Sequence, residues 1–523
     1  MKKILATVLL LLCGVLSFAQ DSVCLPDITK STKSYLIADG NPKDTSYLKA
    51  KGQQAGLELG LAVLANRIPT DSKYVTPKPS KHLLRQGILQ LQLPMDETQT
   101  EFAVLHSELF DLPSNINVLQ IDNELVTYRS TEAVGDIHLF YGCVRGAYGT
   151  RKSTHSKDAM VYKLWDTPER TLLPDFELQD LIIQAQAKRL AETTYELLIF
   201  NDLKSYGYCE QGDTAIGHFL DTMRKYNPDR ILQADLLTPS SKPYLSRVNE
   251  NQLWNTSMRT KIVETLTEKQ EFYRSNDMPW MIGNFHIHLA DKNRQATSME
   301  ELEWFLSKAA AFDAGFGLFF NAETMQRHGL ANVMLNTIRI WEDLRLSNAF
   351  TDKMKEALKD PYSDWHIKKE GASFFLYPQH NSRRYFCNLS DDHWEWNSPY
   401  TSEFALSIYV EGKGSISDLA IITPNGTLSF PCTLRAGQYL IYDFEGSACI
   451  TDINYNKLGD VAVEGISFLD EGKSEVSFTC KVITEERKKP DVTIRYYTHG
   501  KAQKIKTQTI KPKHKTEQEK TAN

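Results

Sequence analysis

Glu196-Leu-Leu-Ile-Phe-Asn-Asp202 is the stretch that decides the fold, because a short apolar run there ends on two polar residues. Such a run is typical of a strand that is buried on both faces, as in a parallel sheet. An amphipathic helix is predicted immediately before it, over residues 178–193. The order of helix, buried strand and polar strand end indicates an α/β fold.

The same alternation continues through residues 168–359. Further strands are predicted at 230–235, 280–288 and 316–320, and helices at 214–226, 258–273, 298–313 and 331–344. Ser298 and Glu301 form a capping-box pattern at the start of one helix. No Gly-rich phosphate loop follows any strand, which argues against a doubly wound dinucleotide-binding sheet. Polar residues follow the strands instead, which favours a TIM-type (β/α) barrel with its site at the strand ends.

The pattern divides the chain into five segments after its first 19 residues. We predict a first part of the barrel at 20–79, an inserted small β domain at 80–165, the remainder of the barrel at 166–360, a C-terminal β-sandwich at 365–500 and a basic disordered tail at 501–523. The two β segments show short alternating runs separated by turn residues. About six barrel strands can be counted, so a complete barrel and an incomplete one both remain open.

One glycine-rich segment stands out within the inserted domain. It reads Tyr141-Gly-Cys-Val-Arg-Gly-Ala-Tyr-Gly-Thr150, and His155 follows it. Its glycines suit tight turns. Arg145 and His155 could serve a ligand, but a turn motif with a structural arginine is the favoured interpretation.

The first 19 residues are predicted to be an export signal. Two lysines precede the apolar run 4–16, and small residues precede Gln20. A lipid anchor at Cys13 is disfavoured because the bulky Leu12 precedes it. No later run reaches about 18 apolar residues, so no membrane span is predicted. We therefore expect an exported protein, located in the periplasm, at the cell surface or outside the cell.

Charge and cysteine usage exclude some functions. The formal net charge is -6, which argues against an electrostatic nucleic-acid binder. The cysteines are widely spaced and show no metal-binding pattern. No cofactor and no metal are predicted.

Several stretches carry a resemblance to a known group. They are Tyr74-Val-Thr-Pro77, the segment 142–150, Asn276-Asp-Met-Pro279, Glu301-Leu-Glu-Trp304 and Ala311-Phe-Asp-Ala-Gly-Phe316. Over roughly residues 55–345 the chain resembles poorly characterised, secreted, glycoside-hydrolase-like (β/α)-barrel proteins of polysaccharide-degrading bacteria. The resemblance implies a glycan as substrate or ligand.

One departure from that group concerns catalysis. Its members carry Asp-Gly-x-Glu where this chain has Asn201-Asp-Leu-Lys204. An ordinary glycosidase needs two carboxyl groups, and neither Asn nor Lys can replace them. Either Asp202 has taken over by a shift of one position, or the activity is lost.

The candidate site residues follow the predicted strands. We expect Asp202 or Asp235 to act with Glu323 as the catalytic carboxylates. The predicted substrate-binding residues are Asn201, Tyr206, Arg247, Asn249, Trp254, His286 and His288. His286 and His288 lie two apart, so they point to one face of their strand. Such a pair also holds metal in some barrel hydrolases, but few further ligands follow, so contacts to sugar hydroxyls are favoured.

The predicted function is that of a secreted carbohydrate-active protein. We expect it to hydrolyse a polysaccharide or oligosaccharide by carboxylate acid/base catalysis. Two alternatives remain open: a catalytically inactive, glycan-binding descendant of such an enzyme, and a metal-dependent hydrolase.

Overall fold

The computed structural model describes residues 33–38, 45–64, 66–105, 114–250, 259–386, 393–466, 468–483 and 489–506. The predicted signal peptide lies outside these residues. Within them, the chain forms two compact units. The first unit spans 61–250, and the second comprises 33–60 together with the residues that follow 250.

Helices and strands are both described before residue 360, with only short antiparallel strands and one 3-10 turn between residues 85 and 164, and the described elements after residue 360 are strands. The helices are α1 (Thr45–Ala55), α2 (Phe176–Ala191), α3 (Asp213–Tyr226), α4 (Arg259–Ser275), α5 (Met299–Phe312), α6 (Ala322–Arg327), α7 (Ala331–Leu346) and α8 (Asp352–Leu358). The strands before the end of α8 are β1 (Tyr35–Ala38), β2 (Glu58–Leu64), β3 (Arg85–Gln90), β4 (Phe102–Leu105), β5 (Val118–Ile121), β6 (Glu124–Thr127), β7 (Ser130–Val134), β8 (Ile137–Tyr141), β9 (Met160–Leu164), β10 (Leu197–Asn201), β11 (Ile231–Ala234), β12 (Arg247–Val248), β13 (Met281–His286) and β14 (Gly315–Phe319). The later strands are β15 (Asp364–Glu370), β16 (Ser373–Phe386), β17 (His393–Ser398), β18 (Ser402–Glu411), β19 (Ser415–Thr423), β20 (Gly426–Arg435), β21 (Tyr439–Tyr442), β22 (Ala448–Thr451), β23 (Lys457–Val461), β24 (Glu464–Gly465), β25 (Phe468–Leu469), β26 (Gly472–Ile483), β27 (Asp491–His499) and β28 (Gln503–Ile505).

The first unit contains parallel strands in the order β12-β11-β10-β2. β10 pairs with β11 in parallel register from Leu197 opposite Ile231 to Phe200 opposite Ala234. All eight of these paired residues are buried, because apolar side chains on both faces of a parallel strand have to be covered. The sequence did not predict β12, which lies in a stretch that reads as a loop.

The second unit contains parallel strands in the order β2-β1-β14-β13. The boundary between the two units falls within the residues of β2, after Gly60. The capping box predicted at Ser298 is present at the start of α5. Parallel strands alternating with helices, as the sequence predicts, are thus confirmed in each unit.

The first unit also contains antiparallel strands between residues 85 and 164. They form one sheet in the order β3-β9-β5-β6 and another in the order β4-β8-β7. Side chains from both sheets share a hydrophobic core, which includes Leu119, Val126 and Phe140. This is the region where the sequence predicts an inserted β domain.

A fully buried carboxylate, Glu124, ties the glycine-rich segment to these sheets. Arg145 donates two hydrogen bonds of 2.8 Å to it, one from Nε and one from an Nη. The Nε2 atom of His155 lies 2.9 Å from the same carboxylate, and the backbone amides of Gly146 and Ser153 also donate to it. We call these residues the Glu124 network. The network holds Arg145 and His155 inside the fold. This agrees with the prediction that the glycine-rich segment is a turn motif with a structural arginine.

Large antiparallel sheets follow residue 360 in the second unit. The path of the larger sheet is β15-β16-β27-β18-β21-β22-β23, and the smaller runs β17-β26-β19-β20-β24. One hydrophobic core draws on both sheets, with Leu406 from the larger and Ile421 from the smaller. The sequence predicts a β-sandwich for this part of the chain, and the structure confirms that it consists of large antiparallel sheets. The predicted tail 501–523 is described only to residue 506, and its β28 pairs with β16 through the buried Ile505.

The loop 452–456 links these sheets to the α6–α7 connection within the second unit. The backbone amide of Gly329 donates to the Asn454 carbonyl over 2.9 Å. The Asn454 Oδ1 atom accepts a hydrogen bond of 2.9 Å from the Ala290 amide. The Tyr455 ring stacks between His328 and Tyr439, with centroid distances of 5.8 and 5.2 Å. Both backbone and side-chain contacts therefore hold this loop.

We expect Gly329→Ala to destabilise the second unit by about 2 kcal/mol, because overpacked sites commonly cost 1–3 kcal/mol. A Cβ atom at position 329 would lie 2.0 Å from the Tyr455 carbonyl oxygen. Thermal unfolding of the full chain measures the effect. Gly459→Ala is the matched control, since no atom lies within 4 Å of its added Cβ. Equal melting temperatures for the two variants would contradict the expectation.

No helix among the described residues is both long and apolar enough to cross a membrane.

Candidate functional site

Asp202 lies directly after β10, at the end of the strand that the sequence predicts at 196–200. Its backbone is in the left-handed region, with φ of 63°, and a 3-10 turn, Leu203–Tyr208, follows it. The carboxylate of Asp235, which follows the neighbouring β11, accepts hydrogen bonds from two backbone amides, those of Asp202 at 2.8 Å and Leu203 at 3.1 Å. Asp235 therefore fixes the turn that carries Asp202.

Two further charged side chains meet Asp202 in the first unit. One Nη atom of Arg67 lies 3.2 Å from Asp202 Oδ2, and its other Nη atom lies 2.5 Å from Glu169 Oε2. We call Arg67, Glu169, Asp202 and Asp235 the strand-end cluster. The side chains of Asp202 and Glu169 are 34% and 52% exposed, so both can reach a ligand from solvent.

Buried amides hold the loops that carry this cluster. Asn66 donates from Nδ2 to the Ser205 carbonyl at 2.9 Å, and Gln179 donates to the Asn66 Oδ1 at 3.2 Å. On the other side of Arg67, Ile68 and Leu172 form an antiparallel bridge. This bridge brings the segment that contains Glu169 beside Arg67. Arg67 is thus positioned from both sides, which favours a fixed geometry.

The pKa values of the two exposed carboxyl groups move in opposite directions. Burial raises the pKa of Asp202 above its usual value, and the nearby charges of Asp235 and Glu169 add to this against the opposing effect of Arg67. Slight burial acts to raise the pKa of Glu169, but its own backbone amide and Arg67 outweigh it, so that pKa is lowered. A pair whose environments separate their pKa values is suited to acid and base roles.

The spacing of these carboxyl groups also fits such roles. Each binds one nitrogen of the same guanidinium group, so their nearest oxygens are roughly 8 Å apart or less, within reach of the separations that glycosidases use.

Two aromatic rings lie near the end of the turn that Asp202 begins. Tyr208 and Trp165 stack with a centroid distance of 5.1 Å and an interplanar angle of 15°. Tyr208 is 38% exposed. Partly exposed aromatic faces pack well against the C–H faces of sugar rings.

Several predicted substrate-binding residues of the first unit lie in its interior. Tyr206 is 1% exposed and stacks on Phe219 at 4.0 Å. Arg247 is fully buried in β12 and donates from Nε to Gln233 Oε1 at 2.7 Å. Asn249 is 4% exposed. All three are buried side chains with little surface for a ligand. Asn201 is half-buried at the last position of β10.

The remaining candidates belong to the second unit or lie outside the described residues. His286 stacks on Phe319 at 4.3 Å, and burial, with His288 and Arg294, lowers its pKa to about 4. The ring nitrogens of His288 face Thr297 Oγ1 and the Gln295 carbonyl, so it anchors the loop after β13. Glu323 is exposed in the first turn of α6 and pairs with Arg327 at 2.6 Å. Its pairing with Asp202 stays a prediction, and Trp254 lies outside the described residues.

The metal-hydrolase alternative requires several His, Cys, Asp or Glu side chains placed around one metal ion. Among the residues that the structure describes, no group of three or more His, Cys, Asp or Glu side chains is placed to hold a metal ion.

Comparison with known proteins gives only distant similarities. No family model and no curated protein matches the chain. An Anoxybacillus alpha-amylase, described as a new glycosyl hydrolase subclass, is 8% identical over 85% of this chain and 80% of its own, with a TM-score of 0.31.

Two other solved structures show similar levels of similarity. A debranching enzyme from Nostoc punctiforme is 10% identical over 84% of this chain and 80% of its own, with a TM-score of 0.30. The glycoside hydrolase domain of PelA from Pseudomonas aeruginosa is 11% identical over 55% and 94%, with a TM-score of 0.28. Identities and TM-scores this low carry no information about the chemistry of the strand-end cluster.

Proposed function

We propose that this chain is an exported glycoside hydrolase of the (β/α)-barrel type that cleaves a polysaccharide or oligosaccharide. The observation that carries the proposal is the pairing of Asp202 and Glu169 on one guanidinium group, with the Asp202 pKa raised and the Glu169 pKa lowered. Two carboxyl groups with separated pKa values are what glycoside hydrolysis requires.

In the proposed reaction, protonated Asp202 donates its proton to the glycosidic oxygen as the bond from that oxygen to the anomeric carbon breaks. Glu169 either takes a proton from the attacking water or attacks the anomeric carbon itself. In the second case, water then releases the sugar and returns its proton to Asp202. Both routes consume one water molecule and yield two shorter sugars.

The other residues of the cluster have positioning roles. Arg67 keeps the two carboxyl groups at a fixed spacing, and Asp235 fixes the turn that carries Asp202. The stacked pair of Trp165 and Tyr208 supplies an aromatic surface for a sugar ring. Since Asp202 supplies the acid, Asn201 and Lys204 do not exclude catalysis.

Product release from a panel of plant, algal and host glycans tests the proposal. We expect Asp202→Asn and Glu169→Gln each to lower the rate by at least about a hundredfold, because positioned acid–base groups typically contribute 10²–10⁴-fold. Asp180→Asn is the matched control, since its side chain is 31% exposed and pairs with His218 at 2.6 Å.

Glu323→Gln distinguishes the proposed pair of Asp202 and Glu169 from the pair that the sequence predicts, in which Glu323 is the second carboxylate. We expect it to keep near wild-type activity, because Glu323 is exposed and pairs with Arg327 on its own helix. Loss of activity in Glu323→Gln with an active Glu169→Gln would overturn the assignment of Glu169. If the wild-type protein and every variant bind glycan without releasing products, the chain is a glycan-binding protein and the proposed hydrolysis is wrong.

A further inference from the structure

A cavity of about 810 Å³ lies within the second unit, in the part of the chain after residue 297. One wall comes from the first two turns of α5 and from α7, through residues such as Glu303 and Val333. The opposite wall comes from strands of the larger antiparallel sheet, including β15, β16, β18 and β27. Ligand pockets of ~300–1,000 Å³ hold drug-sized molecules, so this cavity has room for a short oligosaccharide.

Aromatic rings form a large part of the sheet wall. His499 contacts Tyr377 and Phe444 edge-on, with centroid distances of 5.3 and 4.8 Å. Tyr442 and Tyr455 also line the cavity. We call Tyr377, Phe444 and His499 the aromatic triad. Rings of this kind bind a ligand that has an apolar face as well as polar edges.

Several charged side chains of the wall occur as matched pairs. Lys368 Nζ lies 2.8 Å from Glu445 Oε1, and His366 Nδ1 lies 2.8 Å from Glu303 Oε2. Glu300 is matched by Arg495 at 3.1 Å. Three more charged residues line the cavity, Glu403, Asp443 and Lys457. The wall therefore has no excess of positive charge, which argues against a phosphate or carboxylate ligand.

These pairs also have the right chemistry for hydroxyl groups. Each places a donor and an acceptor side by side, and a hydroxyl can both donate and accept. The Lys368 and Glu445 side chains are 44% and 58% exposed, so they keep a surface for further contacts.

We propose that this cavity is a second carbohydrate site, which binds a neutral oligosaccharide through the aromatic triad and the Lys368–Glu445 pair. It is lined by residues of the second unit, whereas the strand-end cluster belongs to the first. The inference does not depend on hydrolysis at Asp202.

Calorimetric titration of the full chain tests the cavity, with neutral oligosaccharides of two to four sugar units as probes. The same sugars carrying sulfate or uronate groups are titrated in parallel. We expect the neutral sugars to bind, and Phe444→Ala to weaken that binding about tenfold through loss of an aromatic contact. Lys368→Met is expected to weaken it by a similar factor, since an exposed side chain can change without disturbing the fold.

Two controls match these variants. Lys473 pairs with Glu395 at 2.8 Å on the smaller sheet, so Lys473→Met removes an equivalent ion pair outside the cavity. Tyr362 is 78% exposed and does not line the cavity, so Tyr362→Ala removes an unrelated aromatic ring. Both are expected to bind like wild type. Asp202→Asn should also bind in the cavity, which separates this site from the proposed reaction.

Three outcomes would overturn the inference. They are the absence of binding by any neutral sugar, affinities that neither cavity variant changes, and a preference for the sulfated or uronate forms. If Phe444→Ala unfolds, as its melting curve would reveal, Lys368→Met decides the question alone.

Discussion

Arg145→Met is expected to lower the free energy of unfolding of the inserted sheets by about 3–5 kcal/mol, the usual cost of removing one partner of a buried ion pair. The guanidinium group of Arg145 is almost fully buried and neutralises Glu124, which is fully buried. It also donates to the Ser153 carbonyl at 2.6 Å. Methionine fills much of the space but leaves the Glu124 charge without its arginine.

Hydrogen exchange of the full chain measures this locally, through the amides of β5, β6 and β9. Those amides are expected to exchange faster in Arg145→Met, while the amides of β10 and β11 change less. Arg151→Met is the control, because Arg151 is exposed in the same segment. Unchanged protection in Arg145→Met would show that the Glu124 network adds little to stability.

The same network predicts how stability depends on pH. Burial acts to raise the pKa of Glu124, but hydrogen bonds from His155, Arg145 and two backbone amides lower it to about 2. A carboxyl group with a lowered pKa stabilises the fold above its unfolded pKa and loses that effect as the pH falls through the folded value. The inserted sheets should therefore weaken between about pH 4.5 and pH 2, and Glu124→Gln should remove this dependence.

The second large effect concerns the pH dependence of the proposed hydrolysis. The rate requires Asp202 to be protonated and Glu169 to be ionised, so it falls above the Asp202 pKa and below the Glu169 pKa. Arg67 lowers the pKa of both groups. Arg67→Met should therefore move both limbs of the kcat/KM profile to higher pH and reduce the rate at the optimum.

Asp235→Asn should shift the alkaline limb of the kcat/KM profile in the direction opposite to Arg67→Met. The negative charge of Asp235 contributes to the raised pKa of Asp202, so its removal should move the alkaline limb to lower pH. The measurement is kcat/KM against pH for both variants, with Arg189→Met, an exposed arginine on α2, as the control. Shifts of the same sign in both variants would contradict the assignment of Asp202 as the acid.

The local sequence was sufficient for most of the α/β pattern. A strand such as β10 is apolar throughout, and a helix such as α5 carries its own capping box, so neither needs tertiary information. β12 is different, because a strand of two residues has no periodicity to detect. It exists because Gln233 and Ala234 pair with Arg247 and Val248.

The sequence identifies only two members of the strand-end cluster, for a related reason. Asp202 and Asp235 stand at the ends of recognisable strands, so the sequence could point to them. Arg67 and Glu169 lie about a hundred residues apart and meet only through the Ile68–Leu172 bridge. Arg247 is the opposite case. Its charge suggested a ligand contact, but in the folded protein it is buried and donates a hydrogen bond to Gln233. That contact depends on the pairing of two strands and cannot be read from the local sequence.

The loop 452–456 bears on how this protein could be dissected or recombined. Sequence composition suggests a cut near residue 360, which would yield the C-terminal sheets as a separate module. Such a cut would leave Gly329, Ala290 and His328 without Asn454 and Tyr455, the residues that they bind. Truncations and fusions should therefore keep the second unit in one piece. A chimaera that exchanges the C-terminal sheets should take the α6–α7 connection from the same parent as the sheets.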